Sequence, residues 1–428
     1  MHIPPCHSIT TQRNPYPMAA LFVDENELEK FRHSVFADSS RAHYGVLVGQ
    51  AVQAKSEMRT TLIAFVPTPC EDARCPKVFR DFDMEHLAAH AREASRYLVG
   101  GISVVGFYTV SPAVDVDSGA VQTALKSLNS FSSSLSYSSA TDGAERARDK
   151  FHVHFDTVKK SAPPKVQTFS LSKAGTMSLQ PIMLKVQDTV RDRELVLLHS
   201  RFAFSCTITS LRPTGFAAIK TCIERCIPSV ANAPKAVQAK DLLGKEIHFF
   251  SSQYPSDSAV GPFLVRGTVT ATACVAATAP CKEVFEALKQ DAYASLRFRL
   301  ERLHMETDYS KNLDVSRQQS LGRRYIVPAF TDGCCVSDCI TRGETIDSSL
   351  SSLSDVFPSA IASDACVQFI EDEELDLQTV KLQPASVAAA VKRSSATNGA
   401  DEKPQPKSNL NLIVIIVVLL AIAAKFVL

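Results

Sequence analysis

The 428-residue chain has no surplus of either charge: 46 Lys and Arg face 45 Asp and Glu. Without a global basic field, nucleic acid is not its default partner. None of its twelve cysteines form a C-x-x-C pair, so the paired spacing of a structural zinc site is missing. The amino terminus, MHIPPCHSITTQRNPYPM, has no basic region followed by an apolar stretch. No secretory signal is therefore expected, and free thiols in a reducing compartment are. G-x-S-x-G and the phosphate-loop pattern are both absent, and no internal repeat is visible.

Hydrophobic residues make up 45% of the chain, enough for a sizeable core. The length suits two ordinary domains plus tails. One long apolar run stands out, LNLIVIIVVLLAIAAKFVL, from Leu410 to Leu428. As a helix of about 1.5 Å rise per residue it would span roughly 28 Å, close to a bilayer core. Leu412, Ile416 and Leu420 would face lipid, and Lys425 could snorkel to the far interface. The expectation is a single-pass tail anchor with the bulk of the protein in the cytosol. So short a span suits a thin bilayer such as the endoplasmic reticulum.

Periodicity organises the rest. LFVDENELEKFRHSVF reads as a helix, and HYGVLVGQAV and TTLIAFVPTP as strands. DFDMEHLAAHAREASRYLVGG reads as a helix with Asp83 as N-cap and Gly100 and Gly101 as its stop. A strand, ISVVGFYTV, follows, then a helix carrying Val121, Ala124, Leu125 and Leu128 on one face. KFHVHFDTV and KVQTFSLS read as strands. A second block opens at RELVLLHSRFAFSCTITS and holds the helix FAAIKTCIERCI, the strand FLVRGTVTATACVAA, the helix CKEVFEALKQDAYASLRFRLERL and the strand RRYIVPAF. From Ile346 the composition turns to Ser, Asp, Glu, Ala and Pro, which predicts disorder to Ser408.

Several residues invite chemistry. His152 and His154 share one strand face; two ligands are not a site, and an exposed strand face is the favoured reading. His86 and His90, four apart on a helix, could hold a metal, but the apolar stripe explains that helix without one. Cys222 and Cys226, and the group Cys334, Cys335 and Cys339, read as buried thiols or a zinc site. The run EDEELDLQTV is either a solvated acidic stretch or a docking segment that folds on a partner through Phe369, Ile370, Leu375 and Leu377.

Five segments in order carry a resemblance: YGVLVGQ, HAREASRYLVGGISVVGFY, the long RGTVTATACVAATAPCKEVFEALKQDAYASLRFRLE, RRYIVPAF, and the acidic DEELDL followed by the apolar terminus. Together they resemble the odorant response abnormal protein 4 family, over roughly residues 42–428 and loosely through 136–255. The resemblance implies a degenerate branch of the MPN fold, the fold of zinc isopeptidases. VVGFYTVSP is similar to the metal-binding turn of those enzymes, V-V-G-W-Y-H-S-H-P. Thr109 and Ser111 then stand where two histidine ligands would be. Gln122 stands near the place of the aspartate ligand; Asp115 and Asp117 come too early. Neutral hydroxyls hold zinc poorly, so no activated water is expected.

The resulting expectation is an α+β chain: an extension (1–18), an MPN-like pseudo-isopeptidase domain (19–170), a second α+β domain (171–345), a disordered acidic linker (346–408) and a transmembrane anchor (410–428). The resemblance implies a non-catalytic adaptor without cofactor, which assists maturation or trafficking of multi-pass receptors. It also implies a partner, a ubiquitin-fold-modifier-specific cysteine protease paired through MPN-like domains. That nominates the helix face with Glu85, His86, Ala89, Arg92 and Arg96, and the helix from Gln122 to Ser134. The rival expectation is a tail-anchored hydrolase with an atypical metal or cysteine site.

Overall fold

A five-residue strand, β1 (Ala20–Asp24), opens the fold where the sequence predicts helix. All five residues are buried, because β1 runs parallel to two neighbours inside a sheet. The helix, α1 (Glu25–Ala37), starts only after Asp24, whose carboxylate accepts from the backbone N–H groups of Asn26 (2.9 Å) and Glu27 (3.3 Å). That is N-capping by a residue already committed to the strand.

In this computed structural model the described residues are 20–379, less 38–40, 55–56, 70–75, 113–115, 136–149, 172–176, 188–193, 228–236, 244–246, 250–261, 310–318, 331–333, 342, 359 and 362–366. The expected anchor, with Leu412, Ile416, Leu420 and Lys425, lies outside them. No helix among the described residues is long and apolar enough to cross a membrane.

The first sheet continues with β2 (His43–Ala54) and β3 (Glu57–Pro67), an antiparallel pair. Next come α2 (Met84–Tyr97), β4 (Ser103–Ser111) and α3 (Ser118–Leu135). Then follow β5 (Lys150–Asp156), β6 (Lys165–Leu171), β7 (Met177–Ile182) and β8 (Leu184–Gln187). Its strand order is β7-β6-β5-β4-β2-β3-β1-β8. The two ends of that order are one segment of chain, since only Met183 separates β7 from β8. Leu21, Val23, Val105, Tyr108, Val110 and Phe151 bury one face together with Leu28, Phe31 and Val35 of α1. The other face, with Val46, Val104 and Phe107, is covered by Leu87, Ala91 and Ala94 of α2 and Val121, Leu125 and Leu128 of α3.

Asp83 caps α2 as expected, accepting from the N–H groups of Glu85 and His86, both at 2.9 Å. The glycine stop does more than end the helix. Gly101 sits at φ 90°, and Gly100 packs so closely that a Cβ there would lie 2.0 Å from the Ala287 carbonyl oxygen.

The second sheet is built on β9 (Leu195–Ile208) and β11 (Phe263–Ala276), antiparallel over fourteen residues each. Between them run α4 (Ala217–Cys226) and the short β10 (Ile247–Phe249). Past β11 come α5 (Cys281–Tyr309), β12 (Gln319–Leu321), β13 (Arg323–Pro328) and β14 (Cys335–Ile340). The packing of α4 and α5 buries Ile219, Ile223, Val284, Leu288 and Leu296 against β9 and β11.

The segment expected to be disordered from Ile346 is largely structured up to Thr379. It forms α6 (Ile346–Val356), β15 (Phe369–Ile370) and β16 (Leu375–Thr379). Thr345 caps α6 through Ser348 N–H at 3.2 Å. β16 lies between β11 and β12, and β15 pairs with β13. Alternation in Leu375-Asp376-Leu377 turns both leucines inward, so Leu375 is fully buried and Leu377 nearly so. The acidic run is therefore no free docking segment: Phe369 is half-buried and stacks 5.5 Å from His199, and Glu371 is an internal ion-pair partner.

Candidate functional site

The parallel strands β4 and β5 bring Thr109 and Ser111 together with the two strand histidines. Their register sets Phe107 beside His152, Thr109 beside His154 and Ser111 beside Asp156. Such close pairing requires Gly106, where a Cβ would lie 1.9 Å from the Phe151 carbonyl oxygen. His152 and His154 are not on an exposed face. They are 1% and 3% exposed, and Thr109 and Ser111 are fully buried. The strand face that reads as polar lies under other chain because β6 and α3 complete this side of the sheet.

Thr109 Oγ1 lies 2.8 Å from His152 Nε2 and 3.0 Å from His154 Nδ1. A hydroxyl carries one proton, so it donates to one imidazole and accepts from the other. His152 Nδ1 lies 3.4 Å from Gln167 Oε1, to which it donates. With the Gln167 oxygen as acceptor, Nε2 of His152 is bare and takes the Thr109 proton. His154 then donates from Nδ1 to Thr109 and leaves Nε2 as a bare lone pair. His154 Nε2 and Ser111 Oγ have no hydrogen-bond partner among the described residues. Burial pushes both imidazoles down, His152 to about 3, helped by the neighbouring His154, and His154 to about 4. Both are neutral at pH 7.

Zinc does not fit this arrangement. Both imidazoles converge on a point filled by the Thr109 hydroxyl, and neither Thr109 nor Ser111 is a nitrogen, sulfur or carboxylate donor. Gln122 is half-buried on α3. Among the described residues no three His, Cys, Asp or Glu side chains gather in a metal-holding group.

His86 and His90 are also committed elsewhere. His86 Nε2 donates to the Pro69 carbonyl at 2.8 Å. His90 donates from Nε2 to the Val356 carbonyl at 2.8 Å and accepts at Nδ1 from Thr68 at 3.0 Å. The nominated α2 face remains outward: Glu85, Ala89 and Arg92 are exposed, His86 and Arg96 half-buried. Cys222 and Cys226 are buried under β9 with Cys206, a third thiol that spacing does not reveal. Hydrogen bonds from Cys206 and then Cys226 hold the Cys222 thiol down to about 4.

A family profile, described as odorant response abnormal 4-like, matches residues 45–240 and 248–367. The chain belongs to the odorant response abnormal 4-like family. The matched stretch of this family member includes the histidine cluster, the glycine stop and both strands of the β13–β14 pair. No curated protein matches the chain. Among solved structures, one similar chain is a Desulfitobacterium hafniense protein determined in solution. It is 14% identical, with 40% of this chain and 97% of that one covered, at a TM-score of 0.22. Another is UfSP from C. elegans, 12% identical, with 79% of this chain covered, at a TM-score of 0.35. The match spans 56% of the UfSP chain. Likenesses this slight fix neither fold nor activity.

Proposed function

We propose that this odorant response abnormal 4-like protein is a non-catalytic adaptor. One observation carries the reading: the place where a metal or nucleophile would work is filled by a buried, neutral Thr109–His152–His154 cluster. A closed cluster of this kind holds two strands in register and offers no route to substrate. The resemblance supplies the rest of the proposal. The chain sits on the endoplasmic reticulum membrane through residues 410–428. It holds a ubiquitin-fold-modifier-specific cysteine protease there and assists multi-pass receptors. Anchoring would raise the protease's effective concentration near membrane-bound substrates. The exposed α2 face with Glu85, Ala89 and Arg92 is the proposed contact.

The test is affinity purification and fractionation of the full chain and of a form lacking 410–428. Co-purification of such a protease with both forms, on membranes only with the full chain, supports recruitment. A protease that stays on membranes when the anchor is removed would sink it. The rival hydrolase reading rests on the buried thiols Cys206, Cys222 and Cys226. Hydrolytic turnover abolished by Cys222→Ser would revive that reading.

A further inference from the structure

The loop between β5 and β6, residues 157–164, holds an aliphatic side chain in water: Val158 is 75% exposed. Lys159, Lys160 and Lys165 flank it, all three exposed. The loop is nevertheless fixed. Asp156 Oδ1 accepts from Val158 N–H at 2.9 Å, and the Lys159 carbonyl accepts from Ala162 N–H at 2.9 Å. Thr157 N–H donates to the Ser111 carbonyl of β4 at 3.2 Å. From α1, Arg32 Nη2 donates to the Ala162 carbonyl at 3.2 Å, and Lys160 Nζ lies 5.8 Å from the Phe36 ring centroid.

Its charge has one dominant sign. From Asp156 to Lys165 there are three lysines and one carboxylate. That carboxylate is turned back onto the Val158 N–H. Glu29 of α1 is already engaged by Arg32 at 3.0 Å. Lys159 and Lys165 have no ion-pair partner among the described residues.

Such a surface suits a bilayer better than a protein. A stable protein interface buries roughly 800 Å² per partner and is poor in lysine at its centre. One valine among lysines is too small and too charged for that. An anionic membrane accepts a point contact. The apolar knob enters the headgroup region, the lysine stems follow it, and their ammonium groups stay at the phosphates.

We propose that the Val158 loop docks on anionic phospholipid headgroups of the membrane that carries this protein. The contact rests on the membrane anchor proposed for residues 410–428. It adds a second, electrostatic attachment through the first sheet.

The chain has no tryptophan, so Val158→Trp places a single fluorescent reporter at the tip. The full-length variant is reconstituted into vesicles of phosphatidylcholine, alone or with about one part in three of phosphatidylserine. With phosphatidylserine the indole emission should shift to the blue and be quenched by lipids brominated on their acyl chains. Without it, neither should occur. Each lysine at such a surface is worth about fivefold in the docking equilibrium, so adding Lys159→Gln and Lys160→Gln should weaken docking about 25-fold and abolish the shift. Raised salt should reverse it. A Leu243→Trp reporter in the second block should show no dependence on lipid charge; the same shift there would overturn the proposal. Flotation of the same samples tests the anchor separately. A chain that floats with the Val158→Trp indole still in water overturns the loop contact and leaves the anchor standing. A chain that floats with neither vesicle overturns both. An equal shift with poly-glutamate in solution assigns the loop to an acidic protein and overturns the lipid contact.

Discussion

Asp291 of α5 and Arg324 of β13 meet as a buried two-pronged pair, and the same carboxylate receives the backbone N–H of Gly100 from the end of α2. Helix, strand and glycine stop are thus joined at one side chain that is 1% exposed. Removing one member leaves an uncompensated internal charge. Asp291→Ala should cost about 3–5 kcal/mol. Replacing both residues with apolar ones of similar size should cost less. Denaturant unfolding of the single and double variants checks this; equal losses would mean that the unpaired charge is not the cause.

Thr109 offers a sharper contrast. Thr109→Ser keeps the hydroxyl and should change stability by no more than about 1 kcal/mol. Thr109→Val keeps the shape but strips both imidazoles of their shared partner. That change should cost about 2–4 kcal/mol, since two buried polar groups lose satisfaction. If Val proves as benign as Ser, the cluster does not hold the strands.

The histidine cluster makes the fold sensitive to acid. His152 and His154 titrate at about 3 and about 4 when folded, below the unfolded value of about 6.5. Above pH 6.5 neither state binds the extra protons, and nothing is lost. Below it the unfolded chain takes up protons that the folded one refuses. Stability should then fall by as much as about 1.4 kcal/mol per pH unit for each histidine, until the folded values are reached. Unfolding midpoints between pH 7 and 5 measure the slope. In His154→Gln the slope should become shallower, with His152 and the buried His90 and His199, whose values burial also lowers, supplying the remainder.

Leu375 and Leu377 separate a docking segment from a core strand. As core residues, either changed to Ala should cost about 2–5 kcal/mol in the isolated protein. A free docking segment would instead leave the melting point unchanged and weaken only a partner's binding.

Local order was readable from sequence wherever one face of an element is apolar: α2 with its Asp83 cap and glycine stop, α5, and the strands β4 and β11. Those signals are set by side chains a few residues apart. Sequence order also carried the family. It misread β1, because a short buried strand that runs straight into a helix shows no separate period. It misread β16 because its acidic residues lower the mean hydropathy while its leucines alternate inward. Only the tertiary structure decided that β7 and β8, neighbours in the chain, lie at opposite ends of the first sheet's strand order. The same holds for the burial of His152 and His154 around Thr109, forty-odd residues away, and for the joining of Gly100, Asp291 and Arg324. Those contacts arise from strand register and from elements distant in the chain, and no local pattern encodes either.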